Sequence, residues 1–119
     1  MVPFIKKYLR ILQIELEDLE EDINFLIETH QKRVNSKEIT QYVFNENLAV
    51  LKNEIFAVER FEKMAAEIKS DDYNTIEDFI ADLKIRYKKR LKDSGLAEAV
   101  YPLVERKLDK VYKFVALNQ

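Results

Sequence analysis

The sequence predicts an all-α protein, an antiparallel four-helix bundle with two long and two shorter helices. Glycine occurs once and proline twice in 119 residues, which is typical of a chain that is nearly all helix. Apolar residues also recur at alternating steps of four and three near the start of the chain, and the run ends on the only histidine: Ile5, Leu9, Leu12, Leu16, Leu19, Ile23, Leu26, His30. Such a run lies along one stripe of a helix, whereas the two-residue period of a strand would scatter it over both faces.

The first helix is predicted over about 3–33, because Pro3 suits a first helical position and no helix breaker follows it. Asn35 with Glu38 three residues on resembles a capping box, which predicts a chain reversal and a second helix over about 36–69. This second helix has two apolar stripes, and we therefore expect it to contact two or more neighbours. The stripes are Phe44, Leu48, Leu51, Ile55, Val58 and Ala65, with Glu62 as the one polar member, and Val43, Val50, Ala57, Phe61, Met64 and Ile68.

Two shorter helices are predicted over about 75–93 and 97–117. A second capping-box pattern from Asn74 to Glu77 begins the third helix, and Gly95 is expected to end it in the left-handed conformation. Pro102 is expected in the first turn of the fourth helix, where the absence of an amide hydrogen costs nothing. Short connections favour antiparallel neighbours, so all 119 residues are expected to form a single helical-bundle domain with coiled-coil-like seams.

Composition excludes several classes of site. The chain has no cysteine and one histidine, so a disulfide, a thiolate metal centre and any site that needs two imidazoles from one chain are excluded. Its serines lie at predicted turns and caps, with no histidine near them in sequence. No nucleophilic catalyst is therefore predicted, and we expect a non-enzymatic protein without a cofactor. The apolar runs are short and the first residues lack the order of a signal peptide, so a cytoplasmic location without membrane contact is expected.

A length mismatch between the helices predicts association with another chain. Helices of about 30 residues paired with helices of about 20 leave roughly 15 Å of the long hairpin uncovered, unless another chain covers it. We therefore expect a protein–protein interaction module that acts as a homodimer or as a small subunit of a larger assembly. Its predicted contact residues are the apolar positions beside the first seam: Phe4, Tyr8, Ile11 and Ile14.

A basic segment supports an alternative, nucleic-acid binding. Six of the nine residues from 84 to 92 are basic and none is acidic: Lys84, Arg86, Lys88, Lys89, Arg90 and Lys92. Such a helix could track a phosphate backbone. A charge run is more often a solvated face or one paired with acidic neighbours, and the chain has no glycine-rich phosphate loop, so this alternative is not favoured.

A carboxylate metal site is a further alternative. If the first two helices pair about a turn near Val34, Glu15 comes to the level of Glu54, with Asp18 and Asp22 close by on the first helix. Facing carboxylates can hold a hard divalent cation or share a proton. Di-iron bundles, however, use a Glu-x-x-His motif on two helices, which this chain lacks, so ion pairing or solvation of these side chains is the simpler expectation. His30 is expected to be structural, at a helix end.

Overall fold

The computed structural model describes residues 2–117, which form four packed α-helices. These are α1 (Val2–Asn35), α2 (Gln41–Glu67), α3 (Ile76–Ser94) and α4 (Tyr101–Leu117), and single 3-10 turns at Ser70–Asp72 and Glu98–Val100 precede α3 and α4. No strand occurs in this described range. The predicted all-α four-helix bundle is confirmed.

The turn between α1 and α2 lies further along the chain than the sequence suggested. The Lys37 N–H donates to the Val34 carbonyl and the Glu38 N–H to the Arg33 carbonyl, with Lys37 in the left-handed region at φ 64°. This is the Schellman pattern that ends a helix. Because residues 36–38 close α1, they cannot begin α2; Thr40 is the N-cap, and its hydroxyl accepts from the Val43 N–H. The predicted start of the second helix at residue 36 is therefore wrong by five residues.

The two shorter helices begin and end near the predicted positions. Thr75 is the N-cap of α3 and accepts from the Asp78 N–H, while Gly95 ends α3 at φ 70°. Pro102 lies in the first turn of α4, as expected. The predicted fourth helix begins four residues too early, because the 3-10 turn precedes it.

Two buried tyrosines connect α1 to α4 and α2 to α3 across the core. The Tyr8 hydroxyl donates to the Leu108 carbonyl at 2.9 Å, and the Tyr87 hydroxyl donates to the Ala57 carbonyl at 2.7 Å. Both rings are at most 1% exposed, and burial raises the pKa of each phenol. Each hydroxyl thus has the partner that a buried polar group needs.

The helices differ in length, so the bundle has four helices only over part of its long axis. The structure is 54 Å long, close to the roughly 51 Å of a 34-residue helix. A 19-residue helix such as α3 spans only about 28 Å. The turn after α3 meets α2 at Asn53, whose side-chain oxygen accepts from the Ala97 N–H at 2.8 Å. On the side of Asn53 that leads to the α1–α2 turn, α1 and α2 continue without α3 and α4 beside them.

Candidate interaction surface

The predicted contact residues do not form one exposed surface. Phe4 is 37% exposed and Ile14 is 59% exposed, but Tyr8 is fully buried and Ile11 packs partly against the core. The prediction of Tyr8 as a surface contact is wrong. Position 8 points towards α4 and α3, where its ring meets Phe79 edge-on at a centroid distance of 6.5 Å.

The uncovered part of the hairpin lies elsewhere. We call residues 25–50 the overhang, because they comprise the last three turns of α1, the connecting turn and the first ten residues of α2. Ten helical residues span about 15 Å, the length expected from the helix mismatch. Phe4 and Ile14 lie on the opposite half of α1. The predicted contact residues therefore lie away from the uncovered end of the hairpin.

The overhang exposes large apolar side chains on the face that packs against α3 and α4 in the rest of the molecule. Leu26 is eighteen residues beyond Tyr8, which is five full helical turns, so both point the same way. Val50 and Val43 lie seven and fourteen residues before Ala57, which is within about 40° of whole turns, so they share the direction of that fully buried residue. Leu26 is 46% exposed, Val43 41% and Val50 56%. We call these three residues the seam patch.

The overhang exposes two further aromatic side chains. Phe25 and Tyr42 precede Leu26 and Val43 in sequence, about 100° around their helices, and are 65% and 70% exposed. Within the overhang Phe44 is buried at 6%, but it lies outside the main core cluster. His30 is partly exposed, and its Nδ1 is buried without a hydrogen-bond partner among the described residues. The overhang is thus a helical hairpin with one unpartnered apolar face.

The four carboxylates proposed as metal ligands do not converge. Glu15 lies against α4, where the Lys110 ammonium forms an ion pair with it and the Lys107 ammonium is 3.8 Å from its Oε1. The contact with Lys110 is the main reason that the pKa of Glu15 is lowered. Burial raises the pKa of Glu54. No group of three or more His, Asp or Glu side chains within residues 2–117 is placed to hold a metal ion.

The longer turn explains why the predicted alignment of α1 with α2 fails. With the reversal centred near residue 38 instead of 34, each position of α1 meets a later position of α2. Glu62 comes next to Glu20 and Glu17, and a groove of about 310 Å³ between the helices is lined by Leu9 and Ala66 among others. Glu15 and Glu54 therefore do not face each other, and Asp18 and Asp22 are exposed on α1.

A carboxyl pair that the sequence did not predict lies between α1 and α2. Glu20 and Glu62 each bury one Oε1 that has no hydrogen-bond partner among the described residues. Burial is the largest cause that raises the pKa of Glu62 to about 8, and Glu20, Glu17 and Glu59 add to it. A proton on Glu62 removes the repulsion and supplies a hydrogen bond to Glu20. Glu62 was the one polar residue in its predicted apolar stripe, and that interruption was the available signal.

Half of the basic segment has partners within the α3–α4 hairpin. Lys84 Nζ lies 2.8 Å from Asp109 Oδ1 and 4.0 Å from Glu105 Oε2. Arg86 pairs with Asp82 at 3.0 Å, and the Lys88 ammonium lies 4.8 Å from the centre of the Tyr101 ring. Four of the six basic side chains, Lys88, Lys89, Arg90 and Lys92, have no ion-pair partner among residues 2–117. Within the same range, none of the six pairs with an acid of α1.

Comparison with family models, with curated proteins and with solved structures finds no match for this chain. Over residues 2–117, none of the helices has the length and apolar character required to cross a membrane.

Proposed function

We propose that this chain is a non-enzymatic protein–protein interaction module that binds through the seam patch of its overhang. The observation that carries the proposal is the continuity of the helix faces. Tyr8 and Leu26 lie on the same face of α1, where Tyr8 is buried and Leu26 is 46% exposed. Ala57 and Val50 lie on the same face of α2, where Ala57 is buried and Val50 is 56% exposed. A helical stripe that stays apolar beyond its last neighbour in the chain is typical of a surface that another protein covers.

The rest of the chain supports a binding role rather than a catalytic one. Around Glu62 the described residues are the carboxylates of Glu17, Glu20 and Glu59, the side chains of Gln13 and Lys63, and apolar side chains of α1 and α2, with no hydroxyl or imidazole group among them. Nucleic-acid binding through α3 is less well supported, because three of its six basic side chains have acidic or aromatic partners within the chain.

Photo-crosslinking in cells of the source organism tests the proposal. A benzophenone amino acid would replace Val50 in the full-length chain, and in a matched control it would replace Ile85, which is 68% exposed on α3. We expect adducts of defined mass from position 50, few from position 85, and loss of the position 50 adducts when Leu26→Glu is added. Equal or absent adducts at the two positions would refute the proposal.

A further inference from the structure

We propose that the partner of the overhang is the overhang of a second copy, so that two chains dock antiparallel and complete a four-helix bundle between them. This inference rests on the proposed function and names its partner. In this arrangement each overhang occupies the position that α3 and α4 would fill if they were longer. The tip of one hairpin, around residues 35–40, meets the α3–α4 turn of the other copy near Ala97. Four helices then pack side by side along the whole assembly.

The geometry of one chain fits this twofold arrangement. An axis in the plane between the two overhangs and perpendicular to their helices places α2 of one copy over α2 of the other, running in opposite directions. The overhang part of α2, residues 41–50, has its middle at residues 45 and 46. This is one residue from the midpoint between Val43 and Val50, so an axis at that midpoint brings Val43 of each copy to Val50 of the other. The exposed valines of the seam patch are thus self-complementary, as a twofold interface requires.

Charge is compatible with a second copy. Residues 25–50 contain three acidic and three basic residues, so two overhangs meet without net repulsion: Glu28, Glu38, Glu46, Lys32, Arg33, Lys37. On α1, Arg33 lies near the tip and Asp22 just below the overhang, both within about 40° of the direction of Leu26. Antiparallel docking brings Arg33 of each copy within reach of Asp22 of the other. Asp22 has no ion-pair partner among the described residues, and the guanidinium of Arg33 has only Glu38 at 4.0 Å.

The area indicates a weak, reversible dimer. With the connecting turn included, the face is about 20 Å long and two helices wide, and it buries on the order of 500 Å² per copy, or about 1,000 Å² in total. This total lies at the lower limit for a specific interface. We therefore expect a dissociation constant in the micromolar range. The monomer should stay folded, because its own core lies outside the overhang.

Sedimentation equilibrium of the purified chain from about 1 to 500 µM tests the inference. We expect a reversible change from 14.2 kDa to twice that mass. Leu26→Glu and Val50→Glu should each raise the dissociation constant about tenfold or more, because they bury an unpaired charge. Ile85→Glu is the control and should leave it unchanged. Circular dichroism of all three variants shows whether the monomer is still folded, which is expected for residues that are already 46% to 68% exposed.

Two further experiments test the antiparallel arrangement. Arg33→Glu and Asp22→Arg should each weaken the homodimer, and an equimolar mixture of the two variants should associate again, because opposite charges then face each other at both contacts. The chain has no cysteine, so Val43→Cys and Val50→Cys can be mixed and oxidised. Random pairing would make the mixed disulfide as abundant as the two symmetric disulfides together, so we expect the mixed disulfide between positions 43 and 50 to exceed their sum.

The outcomes separate this inference from the proposed function. A strict monomer at 500 µM, a dimer insensitive to Leu26→Glu and Val50→Glu, or a mixed disulfide no more abundant than the two symmetric disulfides together would each overturn docking of a second copy. If position 50 crosslinks in cells to a protein of another mass while the purified chain stays monomeric, the proposed function holds and the second copy is excluded. If position 50 gives no adducts and the chain is monomeric, both are refuted.

Discussion

Replacing Glu62 with glutamine should stabilise the protein above pH 8 and have little effect near pH 4.5. Burial beside Glu20 raises the pKa of Glu62 to about 8, from an ordinary value of 4.5. Between these two values the folded state binds a proton that the unfolded state has released. Stability therefore falls as pH rises through this interval, and the penalty is complete above pH 8.

The size of the effect follows from the same two values. The difference between about 8 and 4.5, converted at about 1.36 kcal/mol per pH unit, gives an upper limit of about 5 kcal/mol. Glu62 is partly exposed, however, and water screens its repulsion from Glu20 and Glu17. Because exposed charge pairs contribute about 1 kcal/mol or less, we expect a gain of only about 1–2 kcal/mol for Glu62→Gln at pH 8.5.

Urea denaturation followed by circular dichroism, at intervals from pH 4.5 to 9, measures this gain. The curves for the wild type and Glu62→Gln should separate steadily as pH rises, because groups titrating in both proteins cancel in the difference. The matched control is Glu59→Gln, an exposed position one turn away on α2, which should show a smaller, flatter difference. A difference for Glu62→Gln that does not change between pH 5 and 8.5 would contradict a raised pKa for Glu62.

Three further predictions concern single residues and can be checked by thermal denaturation. Lys37→Gly should stabilise the protein by about 0.5–1 kcal/mol, because Lys37 has φ 64°, whereas Lys52→Gly in the middle of α2 should destabilise it by about 1 kcal/mol. Gly95→Ala should cost about 1 kcal/mol from backbone strain at φ 70° alone, since no atom of residues other than Gly95 and its two chain neighbours lies within 4 Å of the added Cβ. An unchanged stability would contradict this. Tyr8→Phe should cost about 1 kcal/mol by removing the hydrogen bond to Leu108, while Tyr42→Phe at a 70% exposed position should cost nothing measurable.

The sequence predicted the helices well because their signals are local. Heptad spacing from Ile5 to Ile23, the capping-box pattern before α3 and Gly95 each act within one or two turns, although the N-cap of α3 is Thr75 and not the predicted Asn74. The start of α2 was wrong because the capping-box pattern at residues 35–38 competes with a Schellman turn, and a lysine in the left-handed conformation has no sequence signature comparable to glycine.

Contacts between helices were harder to predict, because they depend on which residues of neighbouring helices lie side by side. A shift of a few residues in the turn separated Glu15 from Glu54 and placed Glu62 beside Glu20 instead. The burial of Tyr8 also depends on helix packing, because α3 and α4 cover this position of α1. The uncovered length of the hairpin was predictable from helix lengths alone, but the direction of its apolar face required the positions of α3 and α4.

The hydrogen bond from Tyr8 to Leu108 has a consequence for the order of folding. These two residues are 100 positions apart in sequence, whereas α1 and α2 meet through a turn of five residues. Closing a long loop costs more entropy than forming a hairpin, so α1 and α2 can pair early and the contact of α1 with α4 forms late. During synthesis, the face of the α1–α2 hairpin that packs against α4 therefore stays exposed until α4 has emerged from the ribosome.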